Sequence, residues 1–146
     1  MKTIYLNCNN VYLRLGTNNK VDKSRQLPFI SFILGVELEC KTWIGETAFF
    51  KAEDGFVMCG DEYQKFLNSL KKQINDYKEI KLEIYDYYAD TDSKLLIDCQ
   101  KNMIVLKGQL GSTINDDMPV LNFKLRNLNS SFLINFYECL IENTEF

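Results

Sequence analysis

The fold is decided by residues 61–77, DEYQKFLNSLKKQINDY, in which apolar side chains recur at steps of three and four. This spacing collects the apolar side chains on one stripe of an α-helix and leaves the lysines on the opposite face. Asp61 and Gln64 are the expected capping pair at its start. The stretch therefore predicts an amphipathic helix over about residues 62–77, whose stripe consists of Tyr63, Phe66, Leu67, Leu70, Ile74 and Tyr77.

On the N-terminal side of this helix the apolar period changes to two, which is typical of β-strands. The alternation over residues 3–15 predicts a hairpin, and the polar residues 16–26 predict an exposed loop. Residues 29–44 alternate again and predict one long strand, with Gly35 placed to bend it. Gly45 and Glu46 are expected to turn this strand into a second hairpin arm over residues 47–52.

The C-terminal side predicts more strands and one last helix. Alternating segments begin near residues 80, 95, 103 and 121, and breaks rich in turn residues separate them. Asn129 or Ser130 can cap a second amphipathic helix over about residues 130–142. The order sheet, helix, sheet, helix predicts one α+β domain over residues 1–146, a mostly antiparallel meander of about seven or eight strands with helices covering one sheet or lying between two.

Composition restricts the partners and the compartment. The chain has 146 residues, of which 46% are hydrophobic, and this is enough for one self-sufficient core. Its formal net charge of −3 gives no general attraction to nucleic acid or to an anionic membrane. No apolar run has the length of a signal peptide or a membrane span, so we expect a cytoplasmic protein. Residues 81–146 hold six basic and ten acidic side chains, which predicts an acidic face in this half.

The chain contains no histidine, and this excludes the Ser-His-Asp and Cys-His catalytic arrangements and any zinc site that uses histidine. The five cysteines lack a CxxC pair, so the sequence gives no support to a zinc ribbon or a redox motif. Cys40 and Cys99 lie in strand patterns and Cys139 in the last helix, which indicates buried thiols. We therefore expect neither a metal nor a cofactor.

The most unusual segment is EIYDYYADTD, residues 83–92, with four carboxylates, three tyrosines and no basic residue. One interpretation is a strand end followed by a hairpin turn. A second is a cation site formed by aspartate oxygens, although the spacing differs from the EF-hand pattern. A third is a surface that binds a basic partner, because tyrosine supplies rigid contact area and aspartate steers approach. The candidate contact residues are Tyr85, Asp86, Tyr87, Tyr88, Asp90 and Asp92.

A second candidate surface lies on the long strand, where Glu37, Glu39 and Trp43 are expected to share one face. Two carboxylates spaced about 6 to 7 Å apart along a strand are compatible with glycosidase-type chemistry. The same spacing occurs on any solvated strand face rich in glutamate. The third interpretation is a binding face with Trp43 as its aromatic anchor.

The order of motifs resembles a known family. A phenylalanine-centred helix after an acidic residue, then sheet, then a strand running into a Ser-Phe-Leu helix (LNFKLRNLNSSFLINFYECL, residues 121–140) is similar to small bacterial immunity proteins of the WapI type. The resemblance covers about residues 47–142. It implies a cytoplasmic, non-enzymatic antidote that binds a cognate toxin, and it carries over no catalytic residue.

The leading hypothesis is therefore an immunity protein that blocks a bacterial toxin by direct contact, with a basic surface expected on the toxin. The alternative is a structural or assembly protein that forms a homo-oligomer in a bacterial or phage system. An enzyme that uses carboxylates alone is a third hypothesis, for which the sequence holds no motif.

Overall fold

The computed structural model describes residues 3–8, 11–22, 29–85, 94–110 and 120–142. Eight strands and two helices lie in these ranges. In chain order they are β1 (Thr3–Cys8), β2 (Val11–Asp22), β3 (Phe29–Lys41), β4 (Thr47–Cys59), α1 (Gly60–Asn75), β5 (Lys81–Tyr85), β6 (Lys94–Cys99), β7 (Ile104–Leu110), β8 (Leu121–Leu128) and α2 (Ser130–Glu142).

The α+β class with two helices is confirmed, but the strands do not form one meander. Within the described residues, β1-β2-β3-β4 make one antiparallel sheet and β5-β6-β7-β8 make another. The predicted antiparallel meander is therefore divided into two separate sheets, which the sequence had left open beside a single sheet. The reason is the position of α1, because this helix begins directly after β4 and so separates β4 from β5 in the chain.

The predicted loop over residues 16–26 is wrong in its first part. Residues 16–22 continue β2, and their backbones pair with β3 from Gly16 opposite Gly35 to Asp22 opposite Phe29. Backbone hydrogen bonds to a long neighbouring strand stabilise an extended chain whatever its side chains are, so the partner overrides the local polar composition. The register also runs through Gly35 without a shift, whereas an irregularity lies between Ile104 and Leu106.

Both predicted helices are present, and the structure corrects the cap of the first. Helix α1 begins at Gly60, so Asp61 lies inside its first turn, where a negative charge favours the helix dipole. The side chain of Gln64 donates to Asn68 Oδ1 at 3.2 Å. The helix ends at Asn75, before Tyr77. Asn129 caps α2, because its Oδ1 accepts a hydrogen bond of 3.1 Å from Ser131 N.

The core lies between the two helices and the inner faces of both sheets. The rings of Phe66 in α1 and Phe136 in α2 meet edge to face at 6.5 Å, and Tyr63 is fully buried beside them. Val36 and Leu38 bring β3 into the same cluster of buried side chains. The buried stripe of α1 therefore matches the periodicity of the sequence at Tyr63, Phe66, Leu67 and Leu70.

A small polar cluster joins the end of α1 to the β6–β7 turn. Gln73 is buried, and its amide donates to Lys78 O while its Oε1 accepts from Lys78 N at 3.2 Å. Tyr77 OH donates to Gln100 O. Burial raises the pKa of the Cys99 thiol, which lies next to these groups. The prediction of buried thiols is confirmed for Cys99 and Cys139, whereas Cys40 is only partly buried.

Candidate interaction surface

The β3–β4 turn builds a protruding hairpin end. Thr42 N donates to Glu46 O at 2.7 Å, and the Thr42 hydroxyl donates to the same oxygen at 3.1 Å. Gly45 closes the turn with φ +85, a left-handed conformation that is costly for a residue with a Cβ. The expected turn at Gly45 and Glu46 is thus confirmed, although the second arm extends to Cys59 rather than to residue 52.

Large apolar side chains are exposed at this end. Every residue from Glu39 to Lys51 is described, and none is buried. We call residues 39–51, together with Tyr12 on the adjacent strand, the hairpin tip. Its exposed fractions are 96% for Trp43, 61% for Phe49 and 50% for Tyr12, and Ile44 and Phe50 are exposed as well. An exposed group of this size is typical of a contact surface, because scattered single residues are the usual case on monomers.

Glu39 lies inside this aromatic group. The strand register places Tyr12 opposite Glu39 on one side and Phe49 opposite it on the other. Directly opposite residues in an antiparallel sheet point to the same face, so the carboxylate is flanked by two aromatic rings. Both Glu39 and the rings are open to solvent.

Glu37 is in a different situation. It stands opposite Lys51, and Lys51 Nζ lies 3.5 Å from Glu37 Oε1. The two glutamates of the predicted pair thus differ, since one has a cationic neighbour and the other has aromatic neighbours. The described residues hold no group of three or more cysteine, aspartate or glutamate side chains placed to bind a metal ion.

Trp43 does not share the strand face that the sequence predicted. Strand β3 ends at Lys41, and Trp43 follows in the turn. The sequence did not indicate this strand end, because Trp43 continues the spacing of two that Glu39 and Lys41 follow along the strand. Turn position and high exposure make Trp43 more accessible than a position on the strand.

The first predicted contact surface lies almost entirely outside the described residues. Tyr85 is the last residue of β5, and its backbone pairs with Lys94. Asp86, Tyr87, Tyr88, Asp90 and Asp92 fall in the gap between residues 85 and 94. Their role in partner binding therefore stays a prediction.

Sequence reasoning missed a second surface, the outer face of β5–β8. This face lines a concavity of about 660 Å³ with one lysine from each strand, which are Lys81, Lys94, Lys107 and Lys124. The alternating strand positions bring basic side chains together here, whereas the acidic face predicted for this half stays a prediction. The signal was present, because each lysine lies directly next to a buried residue in its strand, but each one alone indicates only a solvated strand face.

Searches against family models, curated proteins and solved structures found no match to this chain. The resemblance to WapI-type immunity proteins thus rests on the sequence pattern alone. None of the helices among the described residues combines the length and apolarity needed to cross a membrane.

Proposed function

We propose that this chain is a non-enzymatic binding protein, and specifically a cytoplasmic immunity protein that neutralises a cognate toxin by direct contact through the hairpin tip. The observation that carries the proposal is the open aromatic group around Glu39, with Trp43 at 96% exposure. The sequence supports a role without catalysis, since it contains no histidine for proton transfer.

The hairpin tip has the composition of a binding hot spot. Tryptophan and tyrosine dominate the energetics of protein interfaces because they bury large rigid surfaces at little cost in side-chain entropy. Trp43 and Phe49 contribute little to the core of this chain, because both are mostly in water. Their apolar area becomes stabilising only when a partner covers it.

The tip carries two glutamates and two lysines, and among them the carboxylate of Glu39 is the group that favours a basic residue of the partner. Glu39 lies between Tyr12 and Phe49 and has no ion pair among the described side chains. A carboxylate within an aromatic group attracts an arginine or lysine of the partner, and the aromatic rings then exclude water from that pair. This arrangement gives the same chemistry that the sequence predicted for residues 85–92.

The test uses the protein encoded by the neighbouring reading frame as the probe, with binding measured by calorimetry. We expect Trp43→Ala to weaken binding by about 30-fold or more, which corresponds to the loss of a hot-spot residue of about 2 kcal/mol. Glu39→Lys should chiefly slow association, since charge acts on the encounter rate. Both variants should retain the thermal midpoint of the native chain, because the substituted side chains are exposed.

Ile134→Ala is the matched control, because Ile134 is an exposed apolar residue on α2, away from the tip. Equal weakening by Ile134→Ala and Trp43→Ala would contradict the choice of this surface. Light scattering after size exclusion tests the alternative function, and we expect a monomer of 17.1 kDa. An oligomer that Trp43→Ala dissociates would replace the immunity proposal by a homo-oligomeric assembly protein.

A further inference from the structure

The outer face of β5–β8 concentrates positive charge on a chain whose formal net charge is −3. Each of its four strands places one lysine on the rim of the concavity described above. Arg126 is exposed near Lys124 on β8. We call Lys94, Lys107 and Lys124, which lie closest to one another by register, the lysine triad.

The register brings two members of the triad into direct opposition. Lys107 on β7 pairs with Lys124 on β8, and residues paired in this way have Cβ atoms about 4.5 to 5.5 Å apart. Lys94 pairs with Gln109, two positions from Lys107, and so stands diagonally beside the pair on the same face. Like charges placed opposite each other in a sheet are destabilising.

Among the described residues, Glu83 and Asp98 are the carboxylates of this face. Among the described side chains, none of the three lysines has a carboxylate within 4.0 Å. Asp98 is buried opposite Lys81, and it accepts a hydrogen bond of 3.1 Å from Gln100 Nε2. Arg126 first, and burial and Lys107 after it, lower the pKa of Lys124, while Asp98 acts in the opposite direction.

The concavity has the size and lining of a small-ligand site. Its volume of about 660 Å³ lies within the range of small-molecule pockets. Leu96, half-buried between Glu83 and Lys107, supplies an apolar patch on its floor. Lysine ammonium groups bind phosphate as point charges, and three of them around one spot suit a group with several anionic oxygens.

We propose that this concavity binds a small phosphorylated molecule of about nucleotide size, with its phosphates on the lysine triad and its uncharged part over Leu96. A bound phosphate chain relieves the repulsion between Lys107 and Lys124, so the free protein carries a cost that the ligand removes. A long nucleic acid fits this face less well, because none of the described residues on the rim is an exposed aromatic on which bases could stack.

The test compares inorganic phosphate, pyrophosphate and ATP as probes by calorimetry at low ionic strength. We expect affinity to rise from phosphate to pyrophosphate, and ATP to bind at least as well as pyrophosphate because its uncharged part meets Leu96. Lys107→Gln and Lys124→Gln should each weaken ATP binding by about tenfold. Lys107→Arg should retain most of the affinity for ATP, because arginine keeps the positive charge.

Lys71→Gln and Lys72→Gln are the controls, because they remove the same charge from an exposed face of α1. Equal weakening by these controls, or no binding of any of the three probes, would overturn the proposal. A single-stranded 20-nucleotide DNA that binds and that ATP cannot displace would assign the face to nucleic acid instead. Trp43→Ala should bind ATP normally, so the result is independent of the function proposed for the hairpin tip.

Discussion

The two sheets share an antiparallel architecture but differ in how far their strands extend beyond the core. Strands β3 and β4 have 13 residues each, whereas β5 to β8 have between 5 and 8. At about 3.4 Å per residue the first pair is roughly 44 Å long, and the second set is at most about 27 Å. The inner positions of the short strands are buried along their length, whereas the end of the β3–β4 hairpin has exposed side chains on both faces.

This difference separates the roles of apolar residues in the two sheets. In β5–β8 an apolar side chain at an inner position is buried, as at Leu95, Ile97 and Leu106. At the hairpin tip an inner position gives no such protection, because Phe50 stands opposite the buried Leu38 and is itself exposed. The apolar residues of the short strands thus stabilise the fold, and those of the tip are available for a partner.

The largest expected effect comes from truncating equivalent apolar side chains in the two sheets. Leu106→Ala should lower the free energy of unfolding by about 2 to 5 kcal/mol, because Leu106 is fully buried and its loss leaves a cavity. Phe49→Ala should change it by less than about 1 kcal/mol, although it removes more atoms, because the ring is mostly in water. Urea unfolding of both variants measures the difference, and comparable losses would mean that the tip belongs to the core.

The second prediction contrasts two glycines. A Cβ on Gly108 would lie 2.2 Å from the ring of Phe123, which covers this glycine on the inner face of β7. Gly108→Ala should therefore destabilise the chain by about 1 to 3 kcal/mol through overpacking. A Cβ on Gly45 meets no atom within 4 Å, so Gly45→Ala should cost only the strain of its positive φ, about 1 kcal/mol.

The double variant Gly108→Ala with Phe123→Leu distinguishes the two causes. Removing the ring opens the space that the Cβ needs, so this pair should be less destabilised than the sum of its single variants. No change at the hairpin tip should rescue Gly45→Ala, because its cost is in the backbone. Thermal midpoints of the five proteins, including the native chain, test this. Additive losses at Gly108 and Phe123 would contradict the steric explanation.

Much of the fold could be predicted because local period and burial agree. Phe66 and Leu70 recur at helical spacing and are buried, and Leu82 and Ile84 alternate and are buried. The extension of β2 through residues 16–22 could not be predicted, since the backbone of β3 stabilises it and the local side chains do not. The lysine triad could not be found either. Lys107 and Lys124 are far apart in sequence, and only the register of β7 with β8 makes them neighbours.

The smallest expected effect is a pH dependence of stability that originates at Cys99 on β6 and the neighbouring Tyr77. Burial raises the pKa of Cys99 above its ordinary value of 9.0, and burial together with Cys99 raises the pKa of Tyr77 above 10.0. Both groups are neutral when protonated, and the folded state holds these protons more tightly than the unfolded chain does. Their contribution to stability is therefore complete below about pH 9 and is lost as the pH rises through the folded pKa values.

Urea unfolding between pH 7.5 and pH 10.5 should accordingly show that the free energy of unfolding falls above about pH 9. Cys99→Ala should make this fall shallower, because it removes the titrating thiol and also the effect of that thiol on the pKa of Tyr77. Thiol labelling with peptide mapping gives an independent measurement in the native state. Cys40, partly exposed on β3, should react about tenfold faster or more than Cys99, which is covered by its surroundings. Equal labelling rates would mean that Cys99 on β6 becomes accessible to the reagent as readily as Cys40 on β3. The two sheets would then not differ in how well they protect their side chains from solvent.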